Sequence, residues 1–230
     1  MFIKRLLPAH HISPESKDVV RVAMGMVATT VALVLGLLVY SAKSFYDTQT
    51  AEVTQLSANV VLLDRVLAHY GPESAGARAE LQRSIQRHLE ILWPEHDSRG
   101  SHAQSASLGG EAILDMIHAL APKDDKQRSL QAQALTLALQ MGQIRLLMLT
   151  QRSVPVPKLL VVMLIFWLIG LFMSFGLFAP SNVTVVVSLF VAAVAVCGAV
   201  FLMVEMYYPY GGLIQVSPAP LISALAQMGR

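Results

Sequence analysis

The sequence predicts an all-α membrane protein with three transmembrane helices and a helical extramembrane bundle inserted between the first and second. Three observations predict it. The 230-residue chain is 54% hydrophobic and 14% charged, against about 45–50% and about 25% for an ordinary soluble domain. It holds three uncharged apolar runs, each near the roughly 20 residues a helix needs to cross a bilayer. Between the first two runs, residues 43–158 carry 12 of the 17 Lys and Arg and 12 of the 15 Asp and Glu.

Residues 1–21 are a basic N-terminal segment containing Lys4, Arg5, Lys17 and Arg21. Residues 22–42, VAMGMVATTVALVLGLLVYSA, form the first span. The run starts too far from the N-terminus for a cleaved signal peptide and is read as a retained helix. From Leu37 to Tyr70 there is no Gly or Pro, so the helix is expected to run straight out of the bilayer. Leu56, Val60, Leu63, Leu67 and Tyr70 recur along it at helical spacing, and Gly71-Pro72 ends it. Taken from Val22, that helix has 49 residues, or about 73 Å at 1.5 Å per residue.

The water-facing domain, 43–158, continues with a helix over Ala77–Leu92, its apolar face made of Leu81, Ile85, Leu89 and Leu92. Pro94 stops it, and Glu95–Ser107 reads as a polar linker. A short helix is expected over Glu111–Leu120, with Gly109-Gly110 at its start. Asp124 caps a long helix over Lys126–Ser153 whose apolar face is Leu130, Leu137, Met141, Leu147 and Met148. Together these helices make a small four-helix layer. Their apolar stripes are read as bundle core, with an oligomer seam as the alternative. The second span is 159–178 and the third 183–204, joined by Ala179-Pro180-Ser181-Asn182 in a tight hairpin. Residues 205–230 are read as a C-terminal interfacial tail.

Enzyme chemistry finds no purchase in this pattern. The seven histidines are scattered, and no pair sits at i, i+4 around a carboxylate as a zinc-protease helix requires. There is no nucleophile elbow, phosphate-cradling loop or dinucleotide fingerprint. No catalytic, metal-ligating or cofactor-binding residue is expected, and no cofactor. The lone Cys197 excludes a disulfide framework, and a net charge of +2 makes no case for nucleic acid. The expected partners are the lipid bilayer, further copies of the chain in a homo-oligomer, and ions.

Inside the spans no ionisable residue marks an ion pathway. Small residues stand out instead. Gly25, Ala28, Ala32 and Gly36 in the first span, and Gly198 among alanines in the third, are spaced for close helix packing. Glu205 ends the third span beside Tyr207 and Tyr208, at the level of an aromatic belt, and Pro209 forbids further helix. A carboxylate at a helix C-terminus opposes the dipole and calls for a cationic partner. Arg145, Arg152 and Lys158 are the candidates. The preferred reading is an anchor tying the bundle to the third span; the alternative is a ring of Glu205 side chains at a pore mouth.

Four stretches, LPAHHISPESKDVVRVAMGMVATTVALVLGLLVYSAKSFYDTQ (Leu7–Gln49), NVVLLDRVLAHYGPE (Asn59–Glu73), FWLIGLFMSFGLFAPSNVTV (Phe166–Val185) and VEMYYPYGGLIQVSPAPL (Val204–Leu221), resemble the bestrophin-like bacterial membrane proteins of unknown function. The resemblance implies an oligomeric, bestrophin-related ion channel or pore in the bacterial inner membrane, crossing it several times. Bestrophins place a helical domain between pairs of spans and assemble as pentamers. Here one span precedes the domain, and no acidic calcium-clasp run is visible, so calcium gating does not carry over. The Lys4-Arg5 pair favours an inside N-terminus, which puts 43–158 outside the cytoplasm. Bestrophin architecture implies the reverse. A non-conducting scaffold or sensor whose helical domain binds a partner is the alternative function.

Overall fold

In the computed structural model, residues 14–93, 105–151, 158–178 and 182–228 are described. Among them every regular element is helical: α1 (Pro14–Tyr70), a 3-10 turn (Pro72–Ser74), α2 (Ala75–Leu92), α3 (Ser105–His118), α4 (Asp125–Gln151), α5 (Lys158–Phe178), α6 (Val183–Met206) and α7 (Ala219–Gln227). The chain forms two compact units. One comprises Met1–Phe45 and Pro155–Tyr207, the other Tyr46–Val154 and Tyr208–Arg230. The helix expected from Val22 to Tyr70 is one element that begins earlier, at Pro14. Arg152, the tight hairpin at 179–181 and most of the polar linker lie outside the described residues.

The first unit holds the apolar part of α1 together with α5 and α6. Among the described residues three helices, these same ones, are long and apolar enough to cross a membrane. They share a small core of Val31, Leu38, Ala42, Leu164 and Met203. Toward one end of it, Tyr207 stacks on Phe45 with ring centroids 5.6 Å apart, and its hydroxyl lies 3.3 Å from Ser41 Oγ. Most other apolar side chains of these helices point outward: Leu33, Leu37, Phe166, Ile169, Val186 and Phe190 are all exposed. A helix that is apolar on every side is at home in hydrocarbon, because all its backbone groups are bonded internally.

The second unit is a helical bundle built on a heptad-like stripe of α1. Val53, Leu56, Val60, Leu63 and Leu67 are buried, and they pack with Leu81 and Ile85 of α2, Ile113 and Ile117 of α3, and Ala134 and Met141 of α4. Hydrogen bonds fix the helix ends. Gly71, at φ +129°, turns the chain out of α1 in a conformation disfavoured for any other residue, and a Cβ there would lie 2.8 Å from Glu73 Oε2. Asp64 of α1 accepts both Nε and Nη2 of Arg78 at 2.7 and 3.0 Å, fastening α2 to it. Gln127 of α4 donates to Tyr70 O, and Gln131 donates to Ile117 O and Leu120 O at the end of α3. Asp124 accepts from Gln127 N at 2.6 Å, the N-cap expected for α4.

Three expectations are corrected here. The buried face of α4 is Ala134, Ala138, Met141, Arg145 and Met148, whereas Leu147 is exposed. Met141 and Met148 of the expected face are buried and Leu137 packs against the core, while Ala134, Ala138 and Arg145 complete the inward register. Gly109-Gly110 lies inside α3, which begins at Ser105. The segment 205–230, read as an interfacial tail, instead sends Tyr210, Val216, Leu221 and Ala224 into the core of the second unit, the last two from α7.

The packing can be tested at adjacent residues. Leu63 is fully buried and Leu62 is 49% exposed. Leu63→Ala should destabilise the protein by about 2–5 kcal/mol, and Leu62→Ala by less than about 1 kcal/mol. Thermal unfolding of the purified protein in mild detergent measures both, and equal losses would contradict the register.

Candidate functional site

In the first unit α5 and α6 enclose an apolar groove of about 820 Å³, lined by residues that include Ile165, Phe172, Met173, Val196, Cys197 and Phe201. No Asp, Glu, Lys, Arg or His is among the residues that line it. Glu205, half-buried, closes α6 in this unit and engages a neighbour, and exposed Lys158 opens α5. Of the residues singled out for helix packing, Gly25, Gly36 and Gly198 would meet nothing within 4 Å if they carried a Cβ. Ala32 is likewise exposed. Within one chain, therefore, the close approach their spacing allows is not used.

Arg145 belongs to the second unit, where α2 supplies its charged neighbours. It is only 7% exposed, yet its Nε and Nη2 have no hydrogen-bond partner among the described residues; the same holds for Nε2 of His88, 3% exposed. Burial, and then the positive charge of Arg87, lower the Arg145 guanidinium to about 10. His88 is pushed down to about 4, chiefly by burial and then by the Arg145 charge. Arg87 itself is paired with the buried carboxylate of Glu80, which also holds Arg83.

A second buried polar group sits in the same unit. Gln49 is fully buried. Its Oε1 accepts the Tyr210 hydroxyl at 2.8 Å, and its Nε2 donates to Glu52 Oε2 at 3.3 Å and to Gln151 Oε1. Gln151 Nε2 donates to Glu52 Oε1 at 3.0 Å. Burial raises the Glu52 carboxyl above its usual value, and the bond from Gln151 partly opposes that. Trp93 packs edge-on against Tyr210 at 5.4 Å and donates from Nε1 to Val216 O at 2.8 Å. This network ties α1, α4 and the segment after α6 together, inside the second unit.

Sequence reading overlooked Gln49, His88, Gln151, Trp93 and Tyr210 as well as the position of Arg145. The signal was present. Gln49 continues the stripe 53, 56, 60, 63, 67 backwards, and Arg145 falls between Met141 and Met148 at spacings of four and three. His88 stands likewise between Ile85 and Leu92. A polar residue on an apolar register is either bonded or functional.

His88 generates a pH prediction. Its folded pKa of about 4 lies below the ordinary 6.5, so between these values the unfolded chain binds the proton and the folded chain does not. Stability is therefore lost as pH falls from 6.5 toward 4, by up to about 3 kcal/mol. Glu52, raised in the fold, acts with the opposite sign near the lower end. Thermal unfolding against pH should show a slope in this window that His88→Gln flattens. An unchanged slope in that variant would contradict a neutral, buried His88.

The comparisons accord with this architecture. A crystal structure of a mutated bacterial bestrophin homologue from Klebsiella pneumoniae superposes with a TM-score of 0.69, over 90% of this chain and 85% of that one. Sequence identity is 13%, so this likeness speaks for the fold alone. None of the curated proteins matches the chain. The family model for the Bestrophin-like domain matches residues 1–221, nearly the whole length. The chain belongs to the Bestrophin-like domain family.

Proposed function

We propose that this chain is one subunit of an oligomeric ion channel in the bacterial inner membrane, which it crosses several times. Family membership over residues 1–221 is the observation that carries the reading, since bestrophins are ion channels. The surface supports it. Three uncharged helices offer ions no polar lining on their own, so a conducting path requires several copies around an axis. Gly25, Ala32, Gly36 and Gly198 stand open to receive a neighbouring helix from another copy. In the second unit Leu139, Leu146 and Leu147 of α4 are 60%, 62% and 41% exposed, an apolar surface suited to an oligomer seam. Residues 43–158 then form the water-facing part of each subunit. The absence of Asp, Glu, Lys, Arg and His from the spans also favours a second reading, a non-conducting scaffold or sensor.

Reconstitution in liposomes separates the two. The channel reading predicts ion flux under a salt gradient, and silence across pH and voltage would leave the scaffold. We read Glu205 as an interfacial anchor, because it ends α6 half-buried beside Tyr207. Glu205→Gln should then lower Tm by a few degrees, at about 2–4 °C per kcal/mol for a chain of this size, and leave the reversal potential unchanged. A shifted reversal potential at unaltered Tm would place the carboxylate at a pore mouth instead.

A further inference from the structure

Residues 206–229 contain no Asp, Glu, Lys, Arg or His, although from Tyr208 onward they belong to the second unit. Of the loop that opens this stretch, Tyr210 and Val216 point into the unit's core. The side chains that point out are apolar as well. Leu213 is 84% exposed, more than any other large hydrophobic residue described, and Tyr208 is 58% exposed. The loop is held in shape. Val216 N donates to Pro209 O at 2.8 Å, Gly211 N to Tyr208 O at 3.3 Å, and Trp93 Nε1 to Val216 O at 2.8 Å. Leu213 thus stands midway round a closed loop, where its unfavourable hydration is relieved only if something covers it. Two constraints say what does. The loop leaves α6 at Met206, the end of a helix long and apolar enough to cross a membrane, and seven residues reach no further than about 25 Å. On its other side, Tyr46 donates its hydroxyl to Gln215 O at 3.1 Å. Tyr46 stands on α1 four residues past the uncharged run 22–42, about 6 Å along a continuous helix. That is about the depth of the headgroup layer on one face of a bilayer.

We infer that the loop 208–214 docks on the surface of the phospholipid bilayer, with Leu213 seated among the first methylenes of the acyl chains and Tyr208 at headgroup level. Leucine has no polar atom that must stay wet, while a tyrosine leaves its hydroxyl with the headgroups as its ring leaves water. The missing charges suit that seat, because a Lys or Asp beside Leu213 would have to be desolvated with it. A second copy of the chain would also cover apolar surface. Lipid is favoured because both ends of the loop are tied to helices at the point where they leave the membrane. The contact fixes the second unit to the bilayer surface and holds whether or not the protein conducts.

The test is spin labelling of the full-length protein in phosphatidylcholine vesicles. In a Cys197→Ala background, Leu213→Cys carries a nitroxide whose relaxation is compared in oxygen, which concentrates in lipid, and in a water-soluble nickel chelate. Two exposed positions receive the same label as references: Val194→Cys, within α6, and Lys126→Cys, in the first turn of α4. The latter adjoins Gln127, which bonds Tyr70 O at the far end of α1. Oxygen should outweigh the chelate at positions 213 and 194, and the chelate should outweigh oxygen at 126. A chelate-dominated signal at 213 beside a lipid signal at 194 overturns the proposal and leaves the membrane helix standing; the same signal at both overturns both. Low access to either reagent at 213 reports a protein partner, a second copy included, and overturns the assignment to lipid. A measurement on the unlabelled protein removes any preference of the nitroxide itself. Phosphatidylcholine bearing a photoactivated carbene precursor near the glycerol end of its acyl chain should crosslink within residues 208–214. Crosslinks in α5 and α6 with none in this loop overturn the proposal.

Discussion

Inside a bilayer no water is available to bond a peptide N–H or C=O, so a chain that enters must satisfy its backbone internally. That constraint organises this protein. The segments with no charge to solvate, 22–42, 159–178 and 183–204, are all within helices, α1, α5 and α6. Their side chains face outward because the surrounding medium is as apolar as they are, and little is gained by packing them against one another. Only a handful of their described residues, Val31, Leu38, Ala42, Leu164, Leu171 and Met203, are buried. The second unit obeys the opposite rule. There the hydrophobic effect drives the stripe Val53–Leu67 of α1 into a core completed by α2, α3, α4 and α7.

One element takes part in both regimes. Along α1 the apolar residues surround the helix early on and narrow to a single stripe after Gln49. The narrowing begins at the residue where buried polar contacts start. Gln49, Glu52 and Gln151 bond to one another, Tyr210 bonds Gln49, and Trp93 braces Tyr210. Buried polar networks specify one arrangement because any other leaves a donor unpaired. Arg145 and His88, by contrast, keep buried nitrogens without a hydrogen-bond partner among the described residues, which sets them apart from that network.

Much of the architecture was legible in the sequence because its signals are long-ranged and one-dimensional. Twenty uncharged residues report a span, and the absence of Gly or Pro from Leu37 to Tyr70 reports an unbroken helix. Gly71-Pro72 and Asp124 marked ends that the structure keeps. The face of α4 was legible in part: Leu137, Met141 and Met148 turn to the core as expected, but Ala134, Ala138 and Arg145 also point inward and Leu147 points outward. The outward position of Leu139, Leu146 and Leu147 has a physical reason if they meet another copy. The fate of residues 208–228 was hidden for a different reason. Their burial depends on contacts with α1 and α2, more than a hundred positions away, and no local pattern encodes such contacts.

The central claim is that a single chain is an incomplete device. Its uncharged spans, open glycines and outward leucines make sense when several copies close around an axis. The most direct measurement is the mass of the protein extracted in native lipid nanodiscs, with the lipid contribution subtracted. The account predicts a discrete multiple of the 25.0 kDa subunit, unchanged on dilution. A mass of one subunit, with no larger species at any concentration, would contradict it.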